Sequence, residues 1–176
     1  MKLRRIRQIF WWLLVVSILT ISIFLALASP TSQTAIASVT HLEAAPGEIL
    51  YRSQTKLDDQ SGHVWQVVLF KQIYPGQSTS LNLRLVGFPN SAELIHPQPL
   101  KITTASGKVF TAADVFLDEA PAPTIGQYDL KDILPQLPNE PLQLGIPLPK
   151  QNFINISVPQ SVVREWRELL TATSQS

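Results

Sequence analysis

Hydrophobic and polar positions alternate along most of the chain beyond residue 47, which is typical of β-strands. Residues 64–74 are apolar on both faces, which predicts a central strand covered on both sides. Residues 142–148 alternate but contain Pro147, which predicts an edge strand. The predicted strands are 48–57, 64–74, 81–88, 100–104, 108–111, 142–148 and 154–158.

The segments between these strands indicate how the strands pair. Pro75 and Gly76 suit the central positions of a type II turn, so strands 64–74 and 81–88 are predicted to form an antiparallel hairpin. Gly107 closes a second predicted hairpin. Residues 112–123 are predicted to be a surface loop, whereas residues 128–134 fit either a short helical turn or a strand.

The periodicity changes near the C-terminus. From residue 160 the apolar residues follow helical spacing, which predicts an amphipathic helix at 160–172 with Trp166 as its main anchor. The predicted fold is an antiparallel β-sandwich or strongly curved sheet, with this helix packed on it. A transmembrane or signal helix is predicted to precede this domain.

The N-terminus combines a basic cluster with an uncharged apolar run. Lys2, Arg4, Arg5 and Arg7 precede the 19 uncharged residues 10–28. As a helix, this run would extend about 28 Å, close to the thickness of a bilayer core. It predicts a signal peptide or signal anchor at 1–28, with everything after it exported.

Two fates of this leader are open. Its length favours a retained membrane anchor, but small residues also permit cleavage before Ser29 or before Ser38. The predicted organisation is a leader, a linker at 29–46, a β-rich exported domain at 47–172 and a tail at 173–176. The expected location is the exported side, either anchored to the membrane or released after cleavage.

Composition narrows the chemistry available to the exported part. The chain has no cysteine, which excludes disulfides, thiol catalysis and lipidation at a cleavage site. Four of the 14 basic residues lie in the leader, so ten remain against 13 acidic residues, a net charge of −3. A mildly acidic domain without a basic stripe argues against binding to nucleic acid.

Three side chains are candidate contacts for a partner or ligand. Arg84 lies in a strand among leucines and offers a guanidinium to a carboxylate, although an arginine there also suits a solvent face. His96, held between prolines, suits a pH sensor or a plain surface histidine. Trp166 is the helix anchor or a ligand contact. His63 follows acidic turn residues without a metal or triad motif, so no catalytic, metal or cofactor residue is predicted.

Six segments together carry a family resemblance. They are WQVVLFK (65–71), LNLRLVGFP (81–89), HPQPL (96–100), GQYDL (126–130), LPQLP (134–138) and VPQSVVREW (158–166). In combination they resemble a family of small exported cyanobacterial proteins of unknown function, across residues 47–170. The resemblance implies a photosynthetic bacterium, with the periplasm or thylakoid lumen as the exported side. It brings no activity and no site residues.

Two functional hypotheses follow. One is a non-enzymatic, membrane-associated or secreted binding or accessory module, with the membrane as partner through an uncleaved N-terminal helix and a protein of a membrane complex as a further partner. The alternative is a carrier of a small apolar ligand, a lipid or a pigment. An apolar cavity against Trp166 would favour the carrier, whereas a filled core with an exposed patch would favour the docking module.

Overall fold

The structure is a computed structural model that describes residue 12 and residues 38–45, 48–74, 78–88, 92–117, 120–149 and 152–172. The chain divides into two compact units, Met1–Thr34 and Ala35–Ser176. The predicted leader, apart from Trp12, lies outside the described residues, as do the predicted turn residues 75–77 and the tail. Within the described ranges, no helix has both the length and the apolar character needed to cross a membrane.

The second unit is mainly β, with two antiparallel sheets and one C-terminal helix in its described part. A five-stranded sheet has the order β1-β2-β3-β4-β7 and a four-stranded sheet has the order β6-β5-β8-β9. The strands are β1 (Ser38–Ala45), β2 (Glu48–Asp58), β3 (Val64–Ile73), β4 (Ser80–Gly87), β5 (Leu100–Thr104), β6 (Val109–Ala112), β7 (Ile125–Asp129), β8 (Leu142–Pro147) and β9 (Phe153–Val158). A 3-10 helix, Leu134–Gln136, precedes β8, and helix α1, Gln160–Thr171, follows β9.

The two sheets meet along two seams. At the first seam, Asp59 just beyond β2 forms a bridge with Ile156 of β9, and the Gln60 N–H donates to the Asn155 carbonyl at 3.1 Å. Strand β1 pairs with β2 only as far as Gln54, so the end of β2 is free to turn toward the four-stranded sheet. The first seam therefore joins β2 to β9.

The second seam joins the segment after β6 to β7. Asp114 bridges Tyr128, and the Val115 N–H donates to the Gln127 carbonyl at 2.8 Å. Residues 112–123 were predicted to be a surface loop, but their first residues continue the sheet as backbone partners of β7. With both seams in place, the two antiparallel sheets surround a common interior, which we call the barrel-like enclosure.

The core fills the space inside this enclosure. Alternate residues of each strand point inward, and Trp65, Tyr128 and Trp166 are the largest side chains that are fully buried. Most of the other fully buried side chains are leucine or isoleucine, including Leu69, Leu83, Leu85, Leu100, Ile102, Leu130, Leu134, Leu137, Leu144, Ile146, Ile156 and Leu169. The alternation predicted from the sequence is therefore the alternation between the interior and the outer surface.

One prediction about an individual strand is half right and another is wrong. Strand β3 is central, as predicted, but its outward side chains Val68 and Phe70 are only half-buried, and Val64 is exposed. Only the inner face packs in the core, while on the outer face Arg84 lies over the Phe70 ring. Strand β8 is internal, between β5 and β9, because Pro147 is its last residue and its missing N–H interrupts no interior bond.

Two further segments differ from the prediction. Residues 38–45, assigned to the linker, form β1, which the backbone register pairs with β2 from Ser38 opposite Gln54 onward. The backbone hydrogen bonds to β2 stabilise β1, and a weak hydrophobic pattern in the sequence does not reveal that pairing. Of the two alternatives for residues 128–134, each is partly right, since β7 ends at Asp129 and the 3-10 helix begins at Leu134.

Helix α1 matches its prediction within one residue. Val162, Val163, Trp166 and Leu169 are buried, and Trp166 has no exposed surface. We call the end of the enclosure that α1 covers, where β3 ends and β4 begins, the helix end. The opposite end, where β2 turns into β3 and β7 begins, is called the loop end.

Candidate functional site

The outer face of the five-stranded sheet carries Arg84, the first predicted contact residue. Arg84 is exposed, and its Nε and Nη2 donate to the Gln127 Oε1 atom at 2.9 and 2.5 Å. Its guanidinium also lies 5.5 Å from the centre of the Phe70 ring. Gln127, directly opposite Arg84 in the β4–β7 register, is itself buried. The arginine is therefore held by a fixed, neutral amide, so no carboxylate compensates its charge within the described residues.

Two more basic residues project from the same face. Arg52 and Lys56 lie two residues to either side of Gln54 on β2, so all three point to the same face. Gln54 is opposite Val68 of β3, and Val68 is opposite Arg84 of β4, which places Arg84 on that face too. Lys56 Nζ lies 5.3 Å from the centre of the Phe88 ring. We call the outward side chains Arg52, Lys56, Val68, Phe70 and Arg84 the cationic face.

His96, the second predicted residue, is buried at the loop end and is not a surface histidine. Its Nδ1 lies 2.6 Å from Asp114 Oδ2, its Nε2 lies 3.2 Å from the Ile125 carbonyl oxygen, and its side chain is 9% exposed. The ring packs edge-on against Phe116. The histidine therefore ties the crossover between β4 and β5 to the β6–β7 seam.

Asp114 accepts hydrogen bonds from backbone groups as well as facing His96. Backbone N–H groups of Phe116 and Gln98 donate to the Asp114 carboxylate at 3.0 and 3.2 Å. A carbonyl oxygen only accepts, so His96 Nε2 carries a proton. Both ring nitrogens thus face acceptor atoms, Asp114 Oδ2 and the Ile125 carbonyl oxygen. Neither nitrogen is left free for proton transfer to a substrate.

A second carboxylate at the loop end is equally engaged. Asp59 accepts hydrogen bonds from the backbone N–H groups of Ser61 and His63 at 2.7 and 3.0 Å and from Trp65 Nε1 at 3.1 Å. Burial raises the pKa of Asp59, but these donors and the nearby charge of His63 outweigh burial and lower it. His63 is half exposed beside Asp59. The bond from the Ser61 N–H to Asp59 Oδ1 makes this turn an Asx turn, which is a structural feature.

The helix end contains polar atoms without partners. Trp166, the third predicted residue, has its Nε1 buried with no hydrogen-bond partner among the described residues, and Glu165 Oε1 is in the same state. Burial raises the pKa of Glu165; the Ser53 hydroxyl beside it opposes that effect and the charge of Glu168 adds to it. Lys71 reaches the end of α1 from β3, where its Nζ donates to the Leu170 and Ala172 carbonyls at 2.8 and 2.7 Å.

The structure brings two of the three predicted residues to one strand. Arg84 contacts β7 from the outer face through Gln127, and His96 contacts β7 at its start through the Ile125 carbonyl. Trp166 lies at the other end of the enclosure. Sequence reasoning missed Asp114 and Gln127, whose positions opposite β7 and β4 come from strand register. Within the described ranges no group of three potential metal ligands comes together.

Comparison with known proteins places this two-sheet, helix-capped domain in a family. Residues 37–169 match the family described as "Protein of unknown function (DUF3122)". The chain therefore belongs to that family, whose match covers nearly the whole of the second compact unit. No curated protein and no solved structure matches the chain.

Proposed function

We propose that this protein is a non-enzymatic binding or accessory module, membrane-associated or secreted, that acts on the exported side of a bacterial membrane. The observation that carries the proposal is the exposed guanidinium of Arg84, fixed by the buried amide of Gln127 and left without a counter-ion among the described residues. A fixed cation on an open sheet face is suited to capture a carboxylate of a partner.

The chemistry elsewhere in the domain supports binding over catalysis. His96 and Asp114 use their polar atoms on each other and on backbone groups, and Asp59 is bonded to three donors. These groups stabilise the loop end. Membrane association and the cyanobacterial setting, with the periplasm or thylakoid lumen as the location, rest on the apolar leader and on the resemblance described above.

Affinity purification of the tagged full chain from gently solubilised membranes tests the proposal. We expect a defined protein partner to co-purify with the wild type and to be depleted about tenfold with Arg84→Gln. Lys101→Gln is the matched control, because Lys101 is also an exposed cation beside a phenylalanine, 6.0 Å from the Phe153 ring on the four-stranded sheet. A soluble chain that recovers no protein would contradict the proposal.

A carrier of a small apolar ligand is the second candidate. It is favoured by the buried Trp166 Nε1 at the helix end, which has no partner among the described residues, since a bound ligand with an acceptor group would satisfy such a donor. Intact-mass spectrometry of the purified chain under native and denaturing conditions tests this. A discrete extra mass present only under native conditions supports a carrier, and identical masses contradict it.

A further inference from the structure

We infer that the cationic face binds an extended acidic segment of a partner protein, in which an apolar side chain lies between two carboxylates. This inference rests on the proposed function and specifies its partner. It starts from the register of three adjacent strands. Arg52 and Lys56 lie two residues before and two residues after Gln54 on β2, and Arg84 lies across β3 from Gln54, with Val68 between them.

This register fixes the spacing of the three cations. Four residues along a strand span about 13 Å, and two strand spacings span about 10 Å. Arg52, Lys56 and Arg84 therefore form a triangle with sides of about 12–13 Å, and Val68 lies close to its centre. In an extended segment, every second side chain also points to the same side. Carboxylates four residues apart thus match the two edges that end at Arg84, and the side chain midway between them then lies over β3 beside Val68.

The surroundings of the triangle complete the match. Its centre is apolar, since Val68 and Phe70 are half-buried and offer surface to an aliphatic side chain. Among the side chains that the structure describes, the acidic residues on this face are Asp58 and Asp129; they lie at its margins, where they would repel a misaligned acidic segment.

Arg52 supplies a second sign of an absent acceptor. Its Nε is buried and has no hydrogen-bond partner among the described residues. A carboxylate that arrives with the partner would supply an acceptor to this guanidinium. Arg52 and Arg84 thus flank the apolar centre, one at each of two corners of the triangle.

The test measures peptide binding to the full chain in nonionic detergent. The probe is a blocked hexapeptide with glutamates at positions two and six and leucine at position four, fluorescently labelled. We expect saturable binding that falls at least tenfold when the glutamates are replaced by glutamines. We also expect it to fall about tenfold with Arg84→Gln and with Lys56→Gln, and to stay unchanged with Lys101→Gln.

The outcomes separate the inference from the proposed function. Equal binding of the acidic and amide peptides, or no binding of either, overturns the inference. Binding of the chain to anionic vesicles through Arg84, without binding of the peptide, also overturns it, in favour of a lipid surface. If the affinity purification recovers a partner that Arg84→Gln retains, the proposed function stands and only this choice of surface falls.

Discussion

The two ends of the barrel-like enclosure differ in whether their buried polar groups have hydrogen-bond partners. At the loop end, the carboxylates of Asp59 and Asp114 accept hydrogen bonds from backbone and side-chain donors, and His96 has both ring nitrogens engaged. At the helix end, Glu165 and Trp166 each bury a polar atom without a partner. The difference teaches that polar residues stabilise one end, whereas packing and the contacts of Lys71 hold the other.

Among the substitutions that test this contrast, removal of His96 should change the free energy of unfolding most. His96→Ala removes both contacts of the ring and leaves the Asp114 side chain, only 2% exposed, without its closest partner, so we expect a loss of about 3 kcal/mol in the free energy of unfolding. Urea denaturation followed by tryptophan fluorescence measures it. His63→Ala is the control, with an expected loss below about 0.5 kcal/mol because His63 is half exposed. Equal losses for both variants would show that the buried pair is not what stabilises the loop end.

Asp59 should give the next largest effect and a dependence on pH. Asp59→Asn weakens three hydrogen bonds, which should cost about 2 kcal/mol at neutral pH. The folded pKa of Asp59 is lowered, so its stabilisation is present above the ordinary aspartate pKa and lost as pH falls through the folded value. The stability difference between wild type and variant should therefore shrink on acidification. A difference independent of pH would contradict this account.

Glu165 should show the opposite dependence on pH at the helix end. Its folded pKa is raised, so the stability linked to it is fully present below the ordinary glutamate pKa and is lost as pH rises through the folded value. We expect Glu165→Gln to be more stable than the wild type at neutral pH and to lose that advantage in acid. Thermal unfolding across pH 4–8 measures it, with Glu168→Gln as the control on the same helix. A wild type more stable than Glu165→Gln at pH 8 would show that the carboxylate has a partner there.

The smallest effect is expected for Tyr128, which departs from the contrast between the two ends of the enclosure. Tyr128 belongs to β7 and its hydroxyl is buried without a partner, while burial and the charge of Asp114 raise its pKa. Tyr128→Phe removes an unsatisfied group without removing the ring, so we expect a change in stability of no more than about 0.5 kcal/mol, in either direction. A loss above about 1.5 kcal/mol by urea denaturation would mean that the hydroxyl is hydrogen-bonded in solution.

The sequence by itself determined most of the elements. Period-two alternation located β3, β4, β5, β8 and β9, and helical spacing located α1 and its anchor Trp166. These patterns are local because each strand or helix must direct one set of side chains to the core. The same reasoning failed for β1, whose pairing with β2 decides its structure, and for β8, whose place in the sheet is set by strand order.

Only the tertiary structure decided what the candidate residues do. Arg84 was identifiable as a guanidinium in a strand, but its amide partner Gln127 lies 43 residues away and is brought opposite by the β4–β7 register. The sequence favoured a surface histidine at His96, and only the seam places Asp114 beside it. Strand register and the closure of the two sheets are long-range events, and a linear pattern of polar and apolar residues carries no record of them. The sequence therefore names the side chains, while the fold decides which charges are compensated and which remain available to a partner.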